Sequence, residues 1–280
     1  MAADTTSSAT MNAMTDSLQI SRPARGITQI TLNRPASLNA MTSELVQDLH
    51  DALDAITVDP DTRVVVLTGA GRGFCAGLDL SGYGSAPHTE GLGRTQTSFA
   101  VQKHIAGLIP KMRALPQPII AAVNGAAAGG GLALVLGSDI RLAARTAKFN
   151  AAFIRIGLSA CDIGTSWILP RVVGVARAQE LMLTGRVFEV DEAYRIGLVV
   201  EVHDADALLP AAYAKAAQVM LNAPMGVAMT KEAMWTALEV PMQAAIDIEN
   251  RQQIMLSQTL DHREAMTAFL ERRAPEYRNS

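Results

Sequence analysis

Two glycine-rich stretches carry the first sign of chemistry. GAGRGFCAGLDL, Gly69 to Leu80, follows the apolar run Val64-Val65-Val66-Leu67-Thr68. NGAAAGGG, Asn124 to Gly131, follows the apolar run Pro118 to Val123. Glycines where a strand gives way to a helix leave backbone N–H groups bare at the positive end of the helix dipole. One such turn can simply reverse the chain. Two of them, each behind a parallel-type strand, can aim one N–H apiece at a single oxygen. That arrangement stabilises an oxyanion.

A nucleotide phosphate is the other ligand such glycines suit, and its specific requirements are not met. The chain has no Gly-Lys-Ser or Gly-Lys-Thr, which a P-loop needs. The turn Gly69-Ala70-Gly71-Arg72-Gly73 runs on into Asp79, Ser81, Gly82 and Gly84, poor material for a pyrophosphate-binding helix. None of Tyr83, Tyr194, Tyr213 and Tyr277 stands four residues before a lysine, as a short-chain dehydrogenase would require.

The elements that must hold these turns read as a large α/β core followed by helices. Gly26 to Leu32 is β-rich and is stopped by Asn33-Arg34-Pro35. Thr42 is placed to cap a helix whose apolar face is Leu45, Leu49, Leu53 and Ile56. Arg63 to Thr68 and Pro118 to Val123 read as buried strands, and Ile140 to Ala144 as a third. Residues 81–95 read as a mobile loop. Phe99 to Leu115 reads as a helix kinked at Pro110. The second glycine turn is expected to enter a helix directly, over Gly131 to Leu136. Thr165 to Val173 and Ala176 to Leu183 are expected as helices, and Leu198 to Val202 as the last strand. Four helical stretches follow: Leu208 to Leu221, Met225 to Leu238, Met242 to Leu256 and His262 to Arg273. The implied division is a disordered tail (1–17), a core (18–204) and a helical region (205–280). The apolar stripes of that region need the core or a neighbouring subunit to cover them.

Composition narrows the classes. The 280 residues carry a formal net charge of −3, with 49% hydrophobic and 18% charged residues, a soluble globular balance. Mild acidity argues against nucleic acid as a partner, since phosphate contacts need a basic face. The longest mostly apolar stretch, Pro118 to Leu136, is broken by Asn124 and four glycines, so no membrane span is expected. The first residues lack the basic start and apolar block of a signal peptide. Two cysteines, Cys75 and Cys161, do not make a disulfide framework, and reduced thiols in a cytoplasmic protein are the simpler reading.

Several segments, in order, resemble the crotonase superfamily of enoyl-CoA hydratases and isomerases. They are Leu32-Asn33-Arg34-Pro35 with Leu38-Asn39-Ala40, Phe74 to Leu80, Asn124 to Gly131, Ser138-Asp139-Ile140, and Glu264 to Arg273. The resemblance runs from about Ile27 to Tyr277. It implies an α/β spiral of β-β-α units with a helical C-terminal region, acting on an acyl-CoA as a homotrimer or hexamer. No metal or separate cofactor is implied, because coenzyme A is part of the substrate. It also implies that the backbone N–H groups of Leu78 and Gly130 hold the thioester oxygen. The coenzyme A moiety is expected along Leu38, Ala40, Ala76, Asp79 and Leu80. The position before Ser37, often basic in relatives, is Ala36, so Arg34 and Arg272 become the candidates for phosphate contacts.

The acid–base residues depart from the family pattern. Typical hydratases place two glutamates over the substrate, and the matching positions here are Ala133 and Phe153. Neither can transfer a proton. Some isomerases and dehalogenases of the family carry an aspartate near the position of Asp162, with spacing one residue shorter. Asp162 is therefore the candidate general acid or base, with capping of the helix near Thr165 as its alternative role. Asp79 and Asp139 read as structural. Cys161 has no histidine nearby in sequence to activate it. His88 and His104 fall where the acyl pocket would be covered. The expected chemistry is hydration or isomerisation of an enoyl-CoA. The alternatives are a non-catalytic acyl-CoA binding protein, dehalogenation and thioester hydrolysis.

Overall fold

The computed structural model describes residues 15–280. The expected tail lies outside the described residues as far as residue 14. Thr15 and Ser17 are already tied down, both donating to the Asp48 carboxylate at 2.6 and 2.5 Å.

The chain runs β1 (Leu18–Ala24), β2 (Ile27–Leu32), α1 (Ser43–Thr57), β3 (Val64–Gly69), β4 (Gly73–Cys75), α2 (Arg94–Ala106) and α3 (Leu108–Ala114). It continues through β5 (Ile119–Val123), β6 (Ala126–Ala128), α4 (Gly130–Gly137), β7 (Ile140–Ala144), β8 (Lys148–Asn150), α5 (Thr165–Val173), α6 (Val175–Thr184), β9 (Phe188–Glu189), α7 (Val190–Arg195) and β10 (Glu201–His203). It ends in α8 (Leu208–Met220), α9 (Pro224–Ala237), α10 (Met242–Ser257) and α11 (Leu260–Glu271). The larger sheet has the order β1-β2-β3-β5-β7-β10 and is parallel apart from the β1–β2 hairpin. The smaller sheet has the order β4-β6-β8-β9. Three times over, a strand of the larger sheet is followed by a short strand of the smaller one and then by helix. This is the expected spiral of β-β-α units.

The period-two alternation of a strand sorts the buried residues of β3 between two cores. Val65 and Leu67 face the main core with Leu45, Leu49, Leu53, Leu108 and Leu134. Val64 and Val66 face α8, whose Ala212 and Ala216 are small enough to let it lie close on the sheet. Every residue of α4, GGLALVLG, is buried. That uniform burial explains why α4 shows no polar face. No helix among the described residues is long and apolar enough to cross a membrane.

Several boundaries differ from expectation. The helix break falls at Gly107 rather than Pro110. Pro110 sits in the first turn of α3, where its missing N–H has no helical partner to lose. The second glycine stretch enters its helix directly, at Gly130, as expected, but it also holds the short strand β6, which pairs with β4 and β8. The last strand is Glu201–His203, beyond most of the apolar run Leu198 to Val202. Leu198 and Val199 are instead core residues at the end of a turn. α11 begins at Leu260, two residues early, because Thr259 caps it by accepting from the His262 N–H at 3.0 Å. The strand β1, whose alternation covers only Leu18 to Ser21, is not among the expected elements, and the three short strands β4, β6 and β8 have no periodicity long enough to read.

Two contacts fix α9 to the core. Lys231, buried, donates to Asp139 at 2.9 Å and to the carbonyls of Met112 and Gln117 at 3.0 and 3.2 Å. Burial pulls the Lys231 ammonium below its ordinary range, and Asp139 partly offsets that. The Arg113 guanidinium lies over both the Trp167 and Trp235 rings, 4.3 and 4.2 Å from their centroids. Beyond α9, burial thins. α10 has no buried residue, and α11 buries Asp261 and Ala268 but exposes Phe269 and Leu270.

Candidate active site

The first glycine turn is held by two asparagine side chains. The Asn39 amide donates to the carbonyls of Ala70 and Gly73 at 3.0 and 2.8 Å and accepts from the Arg34 N–H at 2.8 Å. Asn124 accepts from the Gly69 N–H at 3.1 Å and donates to the carbonyls of Gly71 and Gly73 at 2.9 and 3.2 Å. Each amide thus replaces ladder bonds that a tight loop cannot make for itself. This explains why Leu38-Asn39-Ala40 and Asn124-Gly125 are needed beside the glycines. Their clamping role was not legible from residue type alone.

The Leu38–Met41 and Ala76–Asp79 segments are laced together. Ala76 N–H donates to the Leu38 carbonyl at 2.9 Å, Met41 N–H to the Gly77 carbonyl at 2.7 Å, and Asp79 N–H to the Met41 carbonyl at 3.0 Å. The Leu78 N–H, between these rungs, donates to no protein acceptor among the described residues, and neither does the Gly130 N–H at the first position of α4. The two groups are neighbours. A Cβ on Gly77 would stand 3.4 Å from the Gly130 nitrogen and 2.8 Å from the Ala128 carbonyl oxygen. Gly77 also has φ +95°, so glycine is required for both reasons. Gly131 is more tightly constrained, since its Cβ would fall 2.0 Å from the Cys75 carbonyl oxygen. Two undonated N–H groups on adjoining turns can bind one oxygen between them.

Apolar groups surround this point. A Cβ on Gly130 would meet Met41 Sδ at 2.7 Å and Ile163 Cδ1 at 3.6 Å. Phe153 has its ring 3.5 Å from the Cβ position of Gly129. Ala133 is wholly buried on α4, and Phe153 is 7% exposed. The two positions that the resemblance matches to a hydratase's glutamates thus hold buried apolar side chains, which cannot give or take a proton.

Asp162 lies on the turn that packs against Gly130 through Ile163. Its Oδ1 accepts from the Ile163 N–H at 2.8 Å and from Gln102 Nε2 of α2 at 2.5 Å. Its side chain does not cap α5; Gly164 is the N-cap residue, and Asp162 contributes only its carbonyl, to the Thr165 N–H at 2.8 Å. The turn is strained. Ile163, β-branched, has φ +46°, a conformation such residues avoid. Leu38 and Asn39, at φ +49° and +56°, are the other left-handed residues of the site.

The remaining candidates separate clearly. Asp79 pairs with Arg34 at 3.0 Å and accepts from Ser81 Oγ at 2.6 Å. Ser81 first, and Arg34 after it, hold the Asp79 carboxyl below the usual carboxylate range. Arg34 also donates to the Ala40 carbonyl at 2.5 Å, so its guanidinium is committed within the loop. Ala40 is buried and Leu80 is 72% exposed. Arg272 is exposed in a left-handed conformation at the end of α11, and within the chain it forms no ion pair with the described residues. The structure thus brings Leu38, Ala40, Ala76, Leu78, Asp79 and Gly130 together and leaves Arg272 apart. Burial pushes the Cys75 thiol up to about 12, which removes it as a nucleophile. Cys161 is exposed. His88 is exposed in the 81–95 segment, whereas His104 joins Tyr83 and Gln47 at 3.1 Å each.

A model of the enoyl-CoA hydratase/isomerase family matches residues 22–280. The probable enoyl-CoA hydratase EchA12 of Mycobacterium tuberculosis H37Rv is 42% identical over 258 residues, spanning 91% of this chain and 90% of that protein. The 1,2-epoxyphenylacetyl-CoA isomerase of Escherichia coli K12 is 36% identical over 258 residues, spanning 92% of this chain and 97% of the isomerase. Among solved structures, a probable enoyl-CoA hydratase/isomerase from Mycobacterium abscessus superimposes with a TM-score of 0.88 at 37% identity, covering 94% of this chain and 99% of its own. The likeness extends through the spiral and the helices that follow it, and on that ground the chain belongs to the enoyl-CoA hydratase/isomerase family.

Proposed function

We propose that the protein moves a double bond in an enoyl-CoA, with Asp162 carrying the proton. The observation behind this reading is the pairing of a carboxylate on the turn packed against Gly130 with apolar residues, Ala133 and Phe153, at both glutamate positions. Hydration must activate and place a water as well as move a proton. A shift between the α and γ carbons needs only one group that takes a proton and returns it. Asp162 removes the α-proton of a β,γ-unsaturated thioester, and the electron pair moves onto the thioester oxygen. The Leu78 and Gly130 N–H groups stabilise that dienolate. The same carboxyl then protonates the γ carbon, the carbonyl re-forms, and an α,β-unsaturated thioester is left. Atoms and charge balance without a cofactor, and coenzyme A enters as part of the substrate. Its carrier portion follows Leu38, Ala40, Ala76, Asp79 and Leu80.

A panel of α,β- and β,γ-unsaturated acyl-CoAs, followed by mass spectrometry and by absorbance of the conjugated thioester, tests this. The expected result is a moved double bond at unchanged mass. A product heavier by one water means hydration, and released coenzyme A means thioester hydrolysis. Binding without conversion means a binding protein.

The same reading includes assembly in a cytoplasmic setting. α10 and α11 expose Met242, Ile254, Met255, Phe269 and Leu270, more apolar surface than a solvated helix pair needs. A homotrimer or hexamer covers it and allows Arg272 of one copy to approach a neighbour's substrate. Sedimentation at micromolar concentration is expected to give a trimer or hexamer; a monomer rules this out.

A further inference from the structure

The Asp162 carboxylate is held at two points of different origin. The Ile163 N–H is its own chain neighbour and fixes only Oδ1. A carboxylate held by one oxygen still turns about its last torsion, which is broad. Gln102 supplies the second donor from 60 residues away, at 2.5 Å on the same oxygen. Oδ2 is left with no hydrogen-bond partner among the described residues.

What holds Gln102 is the opposite side of α2. Two residues along a helix point roughly opposite ways. His104, two residues on, therefore faces α1. There its Nε2 meets Gln47 Oε1 at 3.1 Å, while the Gln47 amide nitrogen donates to Asp51 at 2.7 Å. The amide orientation makes His104 Nε2 the donor and leaves Nδ1 to accept from the Tyr83 hydroxyl at 3.1 Å. His50 stacks on the His104 ring at 5.1 Å between centroids, and Ile105 is buried in the core. α2 is thus anchored on α1 through one face and reaches the Asp162 turn with the other.

We propose that Gln102 is a positioning residue for proton transfer: it locks Oδ1 of Asp162 so that Oδ2 alone faces the substrate carbon. This rests on the reading of Asp162 as the base. The fixed anchor on α1 makes α2 a rigid arm for that lock.

The test uses Gln102→Met, which keeps length and helix preference but removes the donor, and Gln102→Glu, which replaces the donor with a like charge. Turnover of β,γ-unsaturated hexenoyl-CoA is measured for both, alone and combined with Asp162→Asn, beside thermal melts. Gln102→Met is expected to lower kcat by about 10- to 100-fold, with KM changed less than about twofold and the melt unmoved. Gln102→Glu is expected to lower kcat further. In the Asp162→Asn background, Gln102→Met is expected to add no loss. An inactive Asp162→Asn with a normal Gln102→Met overturns this inference alone, as does an undiminished Gln102→Met effect in that background. An active Asp162→Asn overturns the base assignment and this inference with it.

Discussion

Gly130→Pro is expected to reduce kcat by about 100- to 1,000-fold, the usual effect of removing one oxyanion donor, worth about 3 kcal/mol of barrier. The position makes the substitution informative. Gly130 opens α4, and proline is tolerated at a first helical position because the N–H there has no helical partner. The change therefore removes the donor with limited harm to the helix itself. Gly130→Ala is the control, because it keeps the N–H. Its new Cβ would meet Met41 Sδ at 2.7 Å, the flexible end of a side chain that can shift. Alanine should fold and retain most turnover, and proline should fold and lose it. A folded Gly130→Pro enzyme with ordinary kcat would remove Gly130 from the site.

Asp162→Asn is expected to cut the rate by at least about 100-fold, since a positioned general base typically contributes 100- to 10,000-fold. Asparagine keeps the size and can still accept from the Ile163 N–H and Gln102 through its amide oxygen. Acyl-CoA affinity and thermal stability should change little. Stability matters to the interpretation because the turn carries strain at Ile163, φ +46°, which surrounding contacts must outweigh. If activity falls only in proportion to folded protein, the residue is holding the turn and is not moving a proton. If turnover stays near normal, Asp162 has no part in the mechanism.

The sequence made some parts of this molecule readable and hid others for definite reasons. The buried strands β3, β5 and β7 showed as apolar runs, and α1 showed by its cap and its Leu45, Leu49, Leu53 face. The short strands β4, β6 and β8 have three residues each, too few for any period to show. The Gly107 break was masked by Pro110, the stronger breaker in general but a harmless one in a first turn. At the site, the glycine turns were legible because only glycine permits such close backbone approach. The pairing of Gln102 with Asp162 was not, because it joins an exposed glutamine and a half-buried aspartate that nothing in local pattern relates. The Asn39 and Asn124 clamps lay in quoted motifs, yet asparagine in a loop has too many ordinary uses to reveal which carbonyls it serves.

The chain has two tryptophans, and both lie against the same guanidinium, that of Arg113. One belongs to α5 and the other to α9, with their ring centroids 5.7 Å apart. Tryptophan emission from this protein therefore comes from a single spot, where the C-terminal helices meet the spiral. A cation stacked on both indoles makes their colour and brightness sensitive to any parting of those two helices. An optical unfolding curve taken at these wavelengths records the undocking of α9. The glycine turns could loosen first, or last, without leaving a mark on it.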